Sequence, residues 1–324
     1  MGSRPPVETR PRILVTGATG FIGRPLCERL LETGYAVRAI VRHDSQLLPD
    51  IETCSVARID GDTEWESLLE GIDAVIHLAA RVHRLHDTAT DSEDAYRQVN
   101  TVGTLRLAEA AAAAGCRRFV FFSTVKVLGE GGAFDGNAAG RSPEDPYGRS
   151  KFEAEVGLRN LSASTGMEVV CIRPPLVYGP GVKANFLRLM NWVHRGVPLP
   201  LSSVENRRSL VYVGNLVDAA IRCLSSERIP GFAYSVTDGE DISTANLIRS
   251  IAGAMGKSAT LFPCPVGLLR CAGTIAGKGA EVRRLTESLT VSDAAFRRDF
   301  GWTPPFTMQE GIQETVNWFL SNRR

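Results

Sequence analysis

The chain has 324 residues, of which 44% are hydrophobic and 23% charged, which is enough apolar sequence for one large domain or two smaller ones. Its 37 basic and 36 acidic residues leave a formal net charge of +1, so overall charge favours neither nucleic acid nor an anionic membrane as partner. No run approaches about 18 apolar residues, so no membrane insertion is predicted. Seven scattered cysteines without CxxC spacing favour a reducing compartment, and we expect a cytoplasmic protein with a disordered tail at residues 1–9.

From Arg12 onward, short β-branched runs alternate with longer helical patterns. The strand-like runs include "RILVTG", "AVRAIVR", "DAVIHLAA" and "RRFVFFST", and the helix-like runs include "FIGRPLCERLLETG" and "TLRLAEAAAAAG". This alternation predicts an α/β fold, a doubly wound parallel sheet with helices on both faces. After "VVCIRPPLVYGPG" the rhythm loosens into loops and short helices, which predicts a smaller, less regular C-terminal domain.

A glycine-rich turn follows the first predicted strand. In "ILVTGATGFIG", Gly17, Gly20 and Gly23 lie three positions apart, between a strand and a helix. Small residues let the backbone approach a pyrophosphate, whose charge then meets the free N–H groups of the helix N-terminus. A glycine triplet alone also suits any tight turn, but with a strand before it and a helix after it the pattern predicts dinucleotide binding.

The end of the second predicted strand bears on the choice of nicotinamide dinucleotide. An acidic residue there binds a ribose 2′-hydroxyl, whereas an arginine accepts a 2′-phosphate. "AVRAIVRHD" places Val41 and Arg42 where an aspartate would be expected, which favours NADP(H) and leaves NAD(H) open if Arg42 is only a solvated strand end. Asp62, in "DGDTEW", is either a partner for the adenine amino group or a plain turn aspartate.

Tyr147 and Lys151 lie four residues apart in "PYGRSKFEAE", at the start of a predicted helix, so their side chains share one face. A free tyrosine has a pKa near 10, and its use as a base at neutral pH requires a drop of about three units, or ~4 kcal/mol. An ammonium ~5 Å away, at an effective dielectric constant of ~20, supplies ~3 kcal/mol. Ser123 and Thr124 place hydroxyls at the end of an upstream buried strand, which strengthens the prediction of proton-transfer chemistry.

Six stretches occur together: "TGATGFIG", "DAVIHLAA", "VNTVGTLRLAEAA", "FFSTVKVLGE", "PYGRSK" and "RPPLVYGPG". In combination they resemble the extended short-chain dehydrogenase/reductase family, in its nucleotide-sugar epimerase/dehydratase branch. The resemblance implies a dinucleotide-binding Rossmann domain at residues 10–173 with a returning segment near 208–236. It implies a substrate-binding domain at residues 174–207 and 237–324, and a homodimer through paired helices is a family expectation.

The resemblance also implies roles for particular residues. Thr124 would hydrogen-bond the reacting oxygen, Tyr147 would donate or accept the proton, and Lys151 would lower the pKa of Tyr147 while binding the nicotinamide ribose. Asn100 would be structural, and His77 is interpreted as a core histidine in preference to a cofactor contact. The expected cofactor-binding residues are Gly17, Thr19, Gly20, Phe21, Ile22, Gly23, Arg42, Asp62, Leu78, Ala79, Ala80, Tyr147, Lys151 and Pro174.

The residues after Thr124 bear on the reaction type. In the 4,6-dehydratases of this branch an Asp and a Glu follow the hydroxyl residue, and elimination of water requires such an acid and base. Here those positions are Val125 and Lys126, so dehydration is rejected and hydride transfer at one carbinol carbon remains. Lys126 is interpreted as a substrate-binding cation, the alternative being a lysine that points to solvent or pairs with Glu130.

Arg42 and Lys126 together favour a net reductase. The leading hypothesis is NADP(H)-dependent reduction of the C4 keto group of a UDP-linked 6-deoxy sugar in surface-polysaccharide precursor synthesis, as in the enzymes that form UDP-N-acetylquinovosamine. The alternatives are an NAD-dependent UDP-hexose 4-epimerase, a dihydroflavonol- or steroid-type reductase, and a non-catalytic dinucleotide-binding redox sensor.

Three further residues match family positions that bind the nucleotide diphosphate. Asn185, in "VKANFLRL", would contact a phosphate or the hexose, and Arg208 would clamp the diphosphate because its planar fork meets two oxygens at once. Arg284 is the expected second clamp, with Arg283 competing. "HRLHD", residues 83–87, has two histidines three apart but no further ligand, so no metal is predicted.

Overall fold

The computed structural model describes residues 10–42, 47–82, 89–129, 131–134 and 143–323. The tail predicted at residues 1–9, the "HRLHD" segment from His83 and Glu130 lie outside these ranges. The described strands are β1 (Arg12–Thr16), β2 (Ala36–Val41), β3 (Glu52–Ser55), β4 (Ala74–His77), β5 (Arg118–Phe122), β6 (Gly132–Phe134), β7 (Glu168–Arg173), β8 (Leu176–Tyr178), β9 (Arg208–Tyr212), β10 (Ala233–Ser235), β11 (Asp241–Ile242) and β12 (Leu289–Val291).

The described helices are α1 (Gly23–Glu32), α2 (Ala89–Arg97), α3 (Gly103–Ala113), α4 (Pro146–Thr165), α5 (Ala184–His194), α6 (Val213–Ser225), α7 (Thr244–Ala254), α8 (Val266–Ile275), α9 (Gly279–Thr286), α10 (Ala294–Phe300) and α11 (Met308–Ser321). A π-helical segment (Gln98–Val102) joins α2 to α3, and a 3-10 turn (Val125–Leu128) follows β5. No helix in the described ranges is long and apolar enough to cross a membrane.

The main sheet has seven strands in the order β10-β7-β5-β4-β1-β2-β3. β1 pairs in parallel with both β2 and β4, β2 with β3, and β4 with β5. The winding direction therefore reverses between β1 and β4, and ligands of such sheets bind beyond the carboxyl ends of the strands at this point. The predicted doubly wound α/β fold is confirmed.

The interior strands are buried along nearly their whole length and are mostly apolar. Every residue of β4 and β5 is buried, as are all residues of β1 except the first. In α1 the buried side chains Leu26, Cys27 and Leu30 follow the spacing of one helical face. Full burial of one such aliphatic side chain contributes about 1.5–3 kcal/mol, so the sheet is a rigid support for the loops at its edge.

The chain divides into two compact units. The first comprises residues up to Phe122 with Arg149–Cys171 and Cys223–Phe232, and the second comprises Ser123–Gly148, Ile172–Arg222 and everything from Ala233. The second unit has its own sheet, in the order β11-β9-β12-β6, with β8 also pairing with β9. Residues 123–148, 172–173, 208–222 and 233–236, predicted in the dinucleotide domain, fall in this unit. Within it, β6 pairs with β12, and β9 pairs with β8, β11 and β12. The roles assigned to the two predicted domains stay predictions.

Gly23 provides a test of the turn that starts α1. A Cβ atom at Gly23 would lie 2.2 Å from the carbonyl oxygen of Gly17 and 2.8 Å from the Cα of Ala18, and backbone atoms cannot move aside as a flexible side chain does. We expect Gly23→Ala to lower the free energy of unfolding by about 2–3 kcal/mol or more. Gly253→Ala is the matched control: it lies in α7 with no atom within 4 Å of an added Cβ, and we expect it to be neutral or stabilising by up to about 1 kcal/mol. Denaturant melts measure both, and equal stability of the two variants would contradict the expectation.

Candidate active site

The turn between β1 and α1 has the features needed to hold a pyrophosphate. Thr19 and Gly20 are exposed, Phe21 and Ile22 are half-buried, and no side chain caps the N-terminus of α1. The first turn of α1 also carries no acidic residue. Arg24 N–H donates to the Gly20 carbonyl at 3.1 Å and Pro25 has no N–H, so the positive end of the helix dipole is the feature of this turn that suits an anion such as a pyrophosphate.

Gly17 lies against the loop that follows β4. Its φ of +72° belongs to the left-handed region, and an added Cβ would lie 2.8 Å from the backbone nitrogen of Ala79. Leu78, Ala79 and Ala80, the other predicted cofactor contacts here, are half-buried. Only glycine permits this close approach of the two loops at the reversal point of the sheet.

His77 is fully buried and both of its ring nitrogens have partners. Nδ1 lies 2.7 Å from Thr16 Oγ1, and Nε2 lies 3.0 Å from Thr104 Oγ1. The Thr104 hydroxyl donates to the Asn100 carbonyl at 2.7 Å, so it accepts from Nε2–H, and Nδ1 accepts from the Thr16 hydroxyl. Burial, with the nearby Lys151 charge, lowers the pKa of His77 to about 3, and the ring is neutral at physiological pH. His77 is thus the core histidine that the sequence favoured.

The same buried network continues to α4. Thr16 Oγ1 accepts the Ala79 N–H at 3.2 Å, and the Asn100 side chain exchanges two hydrogen bonds with the backbone of Arg81. Asn100 Nδ2 also donates to Ser150 Oγ at 3.0 Å, one residue before Lys151. The network therefore holds the β1 turn, the loop after β4 and the Lys151 segment in one arrangement.

Lys151 is a buried cation at the end of β5. The residue is only 1% exposed. Its ammonium donates to the Phe122 carbonyl at 2.8 Å and lies 4.4 Å from the centre of the Phe121 ring. Burial lowers the pKa of Lys151 to about 7, although Cys171 and Glu155 act in the opposite direction. The ammonium is therefore poised to lose or keep its proton near neutral pH, a property typical of functional sites.

Tyr147 and Thr124 flank this position in the chain. Tyr147 is the second residue of α4 and half-buried, and Lys151 follows one helical turn later on the same face. Thr124 is buried and begins the 3-10 turn after β5. Pro174, predicted near the cofactor, is buried, and its carbonyl accepts the Val125 N–H at 3.1 Å.

Arg42 and Asp62 are both exposed. Arg42 directly follows β2, as predicted, and Asp62 lies in a turn whose backbone N–H donates to Asp60 at 3.1 Å. Because both side chains are exposed, both interpretations from the sequence stay open: each residue either contacts the dinucleotide or is only solvated.

The second unit contains a pocket that brings together three predicted substrate-binding residues, Asn185, Arg208 and Arg284. Its remaining lining is mostly apolar and includes Phe186 and Trp192. Ala184, at the start of α5, has a φ of 53°, a left-handed conformation that costs a non-glycine residue about 1–2 kcal/mol and sets the backbone direction at Asn185.

The two arginines of the pocket repel each other. Arg208 donates to the carbonyls of Arg284 at 2.7 Å and Glu287 at 3.2 Å, which holds its guanidinium beside the Arg284 segment. Burial, followed by the charge of Arg284, lowers the pKa of Arg208. Because like charges in a partly buried pocket are relieved by an anion, the pair suits a diphosphate. Arg283, the competing residue, is exposed and does not line the pocket.

Lys126 forms an ion pair with Asp145, the residue before α4. As the alternative to substrate binding, the sequence suggested that Lys126 points to solvent or pairs with Glu130. Its actual partner, Asp145, was missed because Lys126 and Asp145 are distant in the chain. Thr16, Thr104 and Ser150 were also missed, since single buried hydroxyls carry no sequence signal. Val125, in the other position where dehydratases carry an acid, is buried.

The NAD dependent epimerase/dehydratase family matches residues 13–236. The chain belongs to this family. It is therefore an NAD-dependent enzyme of the epimerase/dehydratase type, and the family predicted from the sequence is confirmed.

Relatives in this family are similar over nearly the whole chain. A UDP-glucose 4-epimerase from Vibrio cholerae is 42% identical over 317 residues, covering 95% of each chain. The structure of MoeE5 in complex with UDP-glucose and NAD is 26% identical, with a TM-score of 0.75 over 97% of this chain and 100% of that one. A UDP-glucuronic acid 4-epimerase from Bacillus cereus in complex with NAD has a TM-score of 0.77 at 22% identity, over 97% of this chain and 100% of that one, a likeness of fold.

The depressed pKa of Lys151 predicts a pH-dependent stability. Its folded value of about 7 lies below the ordinary value of 10.5, so between these pH values the unfolded chain binds more protons and stability rises with pH. Lys151→Met removes this dependence. We expect the free energy of unfolding of Lys151→Met, relative to the wild type, to be highest at and below about pH 7 and to fall steadily towards pH 10. A difference between the two proteins that is constant from pH 6 to 10 would contradict it.

Proposed function

We propose that this enzyme interconverts the C4 epimers of a UDP-linked hexose, with NAD as cofactor. The observation that carries the proposal is its 42% identity, over 95% of both chains, to the UDP-glucose 4-epimerase of Vibrio cholerae. The residues at the candidate site are compatible with that reaction and lack the groups that the competing elimination of water needs.

The residues of the first unit fit a bound dinucleotide. The uncapped N-terminus of α1 would hold the pyrophosphate, and Lys151 would bind the nicotinamide ribose. When bound, NAD supplies the ring carbon that accepts a hydride from C4 and returns it. An added Cβ at Gly17 would meet the backbone of Ala79, and one at Gly23 would meet the backbone of Gly17 and Ala18, so the turn is compact only with glycine at both positions.

Proton transfer is assigned to the phenol of Tyr147. Its Oη takes the proton from the C4 hydroxyl as the carbinol is oxidised and gives it back on reduction. The Lys151 ammonium stabilises the phenolate, and the phenolate in turn favours the charged form of Lys151. Thr124 donates a hydrogen bond to the C4 oxygen and restrains its position.

The pocket of the second unit is assigned to the UDP group. Arg208 and Arg284 would bind the diphosphate, and the flat faces of Phe186 or Trp192 suit a pyrimidine ring. Glu281 also lines this pocket and lies 3.4 Å from Arg188, a pairing that limits its repulsion of the phosphates. Asn185 is left for the hexose or a phosphate.

A second candidate is NADP(H)-dependent reduction of a UDP-linked 4-keto-6-deoxy sugar. The observation in its favour is Arg42, exposed directly after β2 at the position that reads a 2′-phosphate. The other argument for a reductase was a cation at Lys126 beside the substrate. Since that ammonium is engaged by Asp145, the argument loses its weight and the epimerase takes first place.

The predicted homodimer has one supporting feature. Phe152 and Val156 are 43% and 47% exposed and lie four residues apart on α4, so they share one face of that helix. We propose that this face meets the same face of a second copy.

The proposed activity is tested by incubating the purified enzyme and NAD with UDP-galactose and, separately, UDP-N-acetylgalactosamine. We expect the gluco epimer to accumulate without net consumption of cofactor. Tyr147→Phe should lower kcat by at least about 100-fold with little change in NAD affinity, because only the proton acceptor is lost. Stoichiometric oxidation of NADPH with a UDP-4-keto-6-deoxy-hexosamine, and no epimer formation, would replace the epimerase by the reductase.

Arg42→Asp tests how the cofactor is chosen. If Arg42 contacts a 2′-phosphate, the substitution weakens NADPH binding by at least about tenfold more than NADH binding, as expected for loss of a charge-assisted contact plus new repulsion. Titration of the reduced dinucleotides by their fluorescence measures both constants. Equal changes for the two nucleotides would show that Arg42 is a solvated strand end.

A further inference from the structure

Thr124 and Tyr147 belong to different elements, yet the proposed reaction needs both groups at one oxygen atom. The first lies before a 3-10 turn and the second in the first turn of α4. We propose that the Lys126–Asp145 ion pair is a latch that positions the hydroxyl of Thr124 and the phenol of Tyr147 together, so that Lys126 is a positioning residue and not a substrate ligand. The inference rests on the proposed function.

The first half of the latch is the turn that Thr124 begins. Thr124 has an extended backbone, and its Oγ1 accepts the Lys126 N–H at 3.3 Å, so the side chain is held over the turn. Val125, Val127 and Leu128 are at most 4% exposed and pack with Val291. Lys126 is the one residue of this turn whose side chain extends away from the core, and it reaches Asp145.

The second half is the start of α4. One carboxylate oxygen of Asp145 accepts the Gly148 N–H, the N-cap arrangement, and the other accepts from the Lys126 ammonium. A Cβ at Gly148 would lie 3.2 Å from the carbonyl oxygen of Lys126, so the backbone of the turn passes close to the helix start. Tyr147 sits between Asp145 and Gly148 in the chain and is held within this arrangement.

The environment makes the pair stronger than a surface ion pair. The side chains of Lys126 and Asp145 are 29% and 16% exposed, so solvent and salt screen them less than charges on the surface. The carboxylate also lies at the positive end of the α4 dipole. Loss of either partner leaves a partly desolvated charge, which loosens the helix start that carries Tyr147.

The test is a double-mutant cycle on the full-length enzyme with NAD and the UDP-sugar it turns over. Asp145→Asn keeps an N-cap acceptor but removes the charge, and Lys126→Met removes the ammonium at similar length. We expect each to lower kcat by about 10–100-fold with less than about a threefold change in KM, and the double variant to be no worse than either single one. Lys126→Arg should recover kcat to within about fivefold, since it keeps the charge.

Glu93→Gln is the matched control, because it weakens an exposed ion pair between Glu93 in α2 and Arg149 in α4, and we expect kcat within about twofold of the wild type. Three outcomes would overturn the latch. One is a rise in KM for Lys126→Met alone with kcat retained, which identifies a substrate ligand. The others are additive losses in the double variant and unchanged kcat in both single variants.

A second readout does not depend on the proposed substrate. The tyrosinate absorbance of each protein, minus that of its Tyr147→Phe counterpart, reports the titration midpoint of Tyr147. If the ion pair positions the Tyr147 phenol near the Lys151 ammonium, both Lys126→Met and Asp145→Asn displace the phenol and raise its midpoint. A purely electrostatic influence moves it in opposite directions, because one variant loses a positive charge and the other a negative charge. If the Tyr147 midpoint shifts in opposite directions in the two variants, or does not shift, the latch is overturned, whether or not the enzyme acts on UDP-hexoses. If the midpoint rises in both variants, the latch is supported, and a lack of activity on UDP-hexoses then counts against the proposed function alone.

Discussion

The candidate active site depends on one ammonium group kept out of water. Lys151 is almost completely buried, and within the described part of the chain its ammonium contacts the Phe122 carbonyl and the Phe121 ring, with Cys171 and Glu155 exerting a weaker electrostatic effect. An unpaired buried charge is costly, and a protein retains one only where the surrounding structure imposes it. Here β5 supplies the carbonyl and the ring, and α4 supplies the lysine, so helix and strand must be fixed relative to each other before the group can work.

A chain of buried hydroxyl and amide groups fixes that arrangement. His77 links Thr16 to Thr104, and Asn100 links the loop after β4 to Ser150. Such a network is stable only when every member is satisfied, and a neutral imidazole suits it because it donates at one nitrogen and accepts at the other. The end of β1, where the glycine-rich turn begins, and the Lys151 segment therefore share one rigid support, although their residues are far apart in the chain.

The choice between epimerase and reductase illustrates how a partner changes the meaning of a side chain. Lys126, considered alone, is a cation available to a phosphate or a sugar. Paired with the carboxylate that accepts the Gly148 N–H, it joins the 3-10 turn after β5 to the start of α4. The pocket of the second unit contains two further cations, Arg208 and Arg284, and a hydrogen bond from the Arg208 side chain to the Arg284 carbonyl keeps them close together.

The sequence by itself determined the parallel sheet, the glycine turn and the shared helical face of Tyr147 and Lys151, because each is encoded by local spacing. Periodicity of apolar residues and the position of glycine act within a few residues, and the structure retains them. Tertiary structure alone decided that β6, β8 and β9 join a second sheet, that Asp145 holds Lys126, and that His77 bridges two threonines. These features depend on pairings between residues that are distant in the chain. A strand edge, a lysine or a hydroxyl can form its hydrogen bonds or ion pair with many partners, and the fold decides which of them comes within reach.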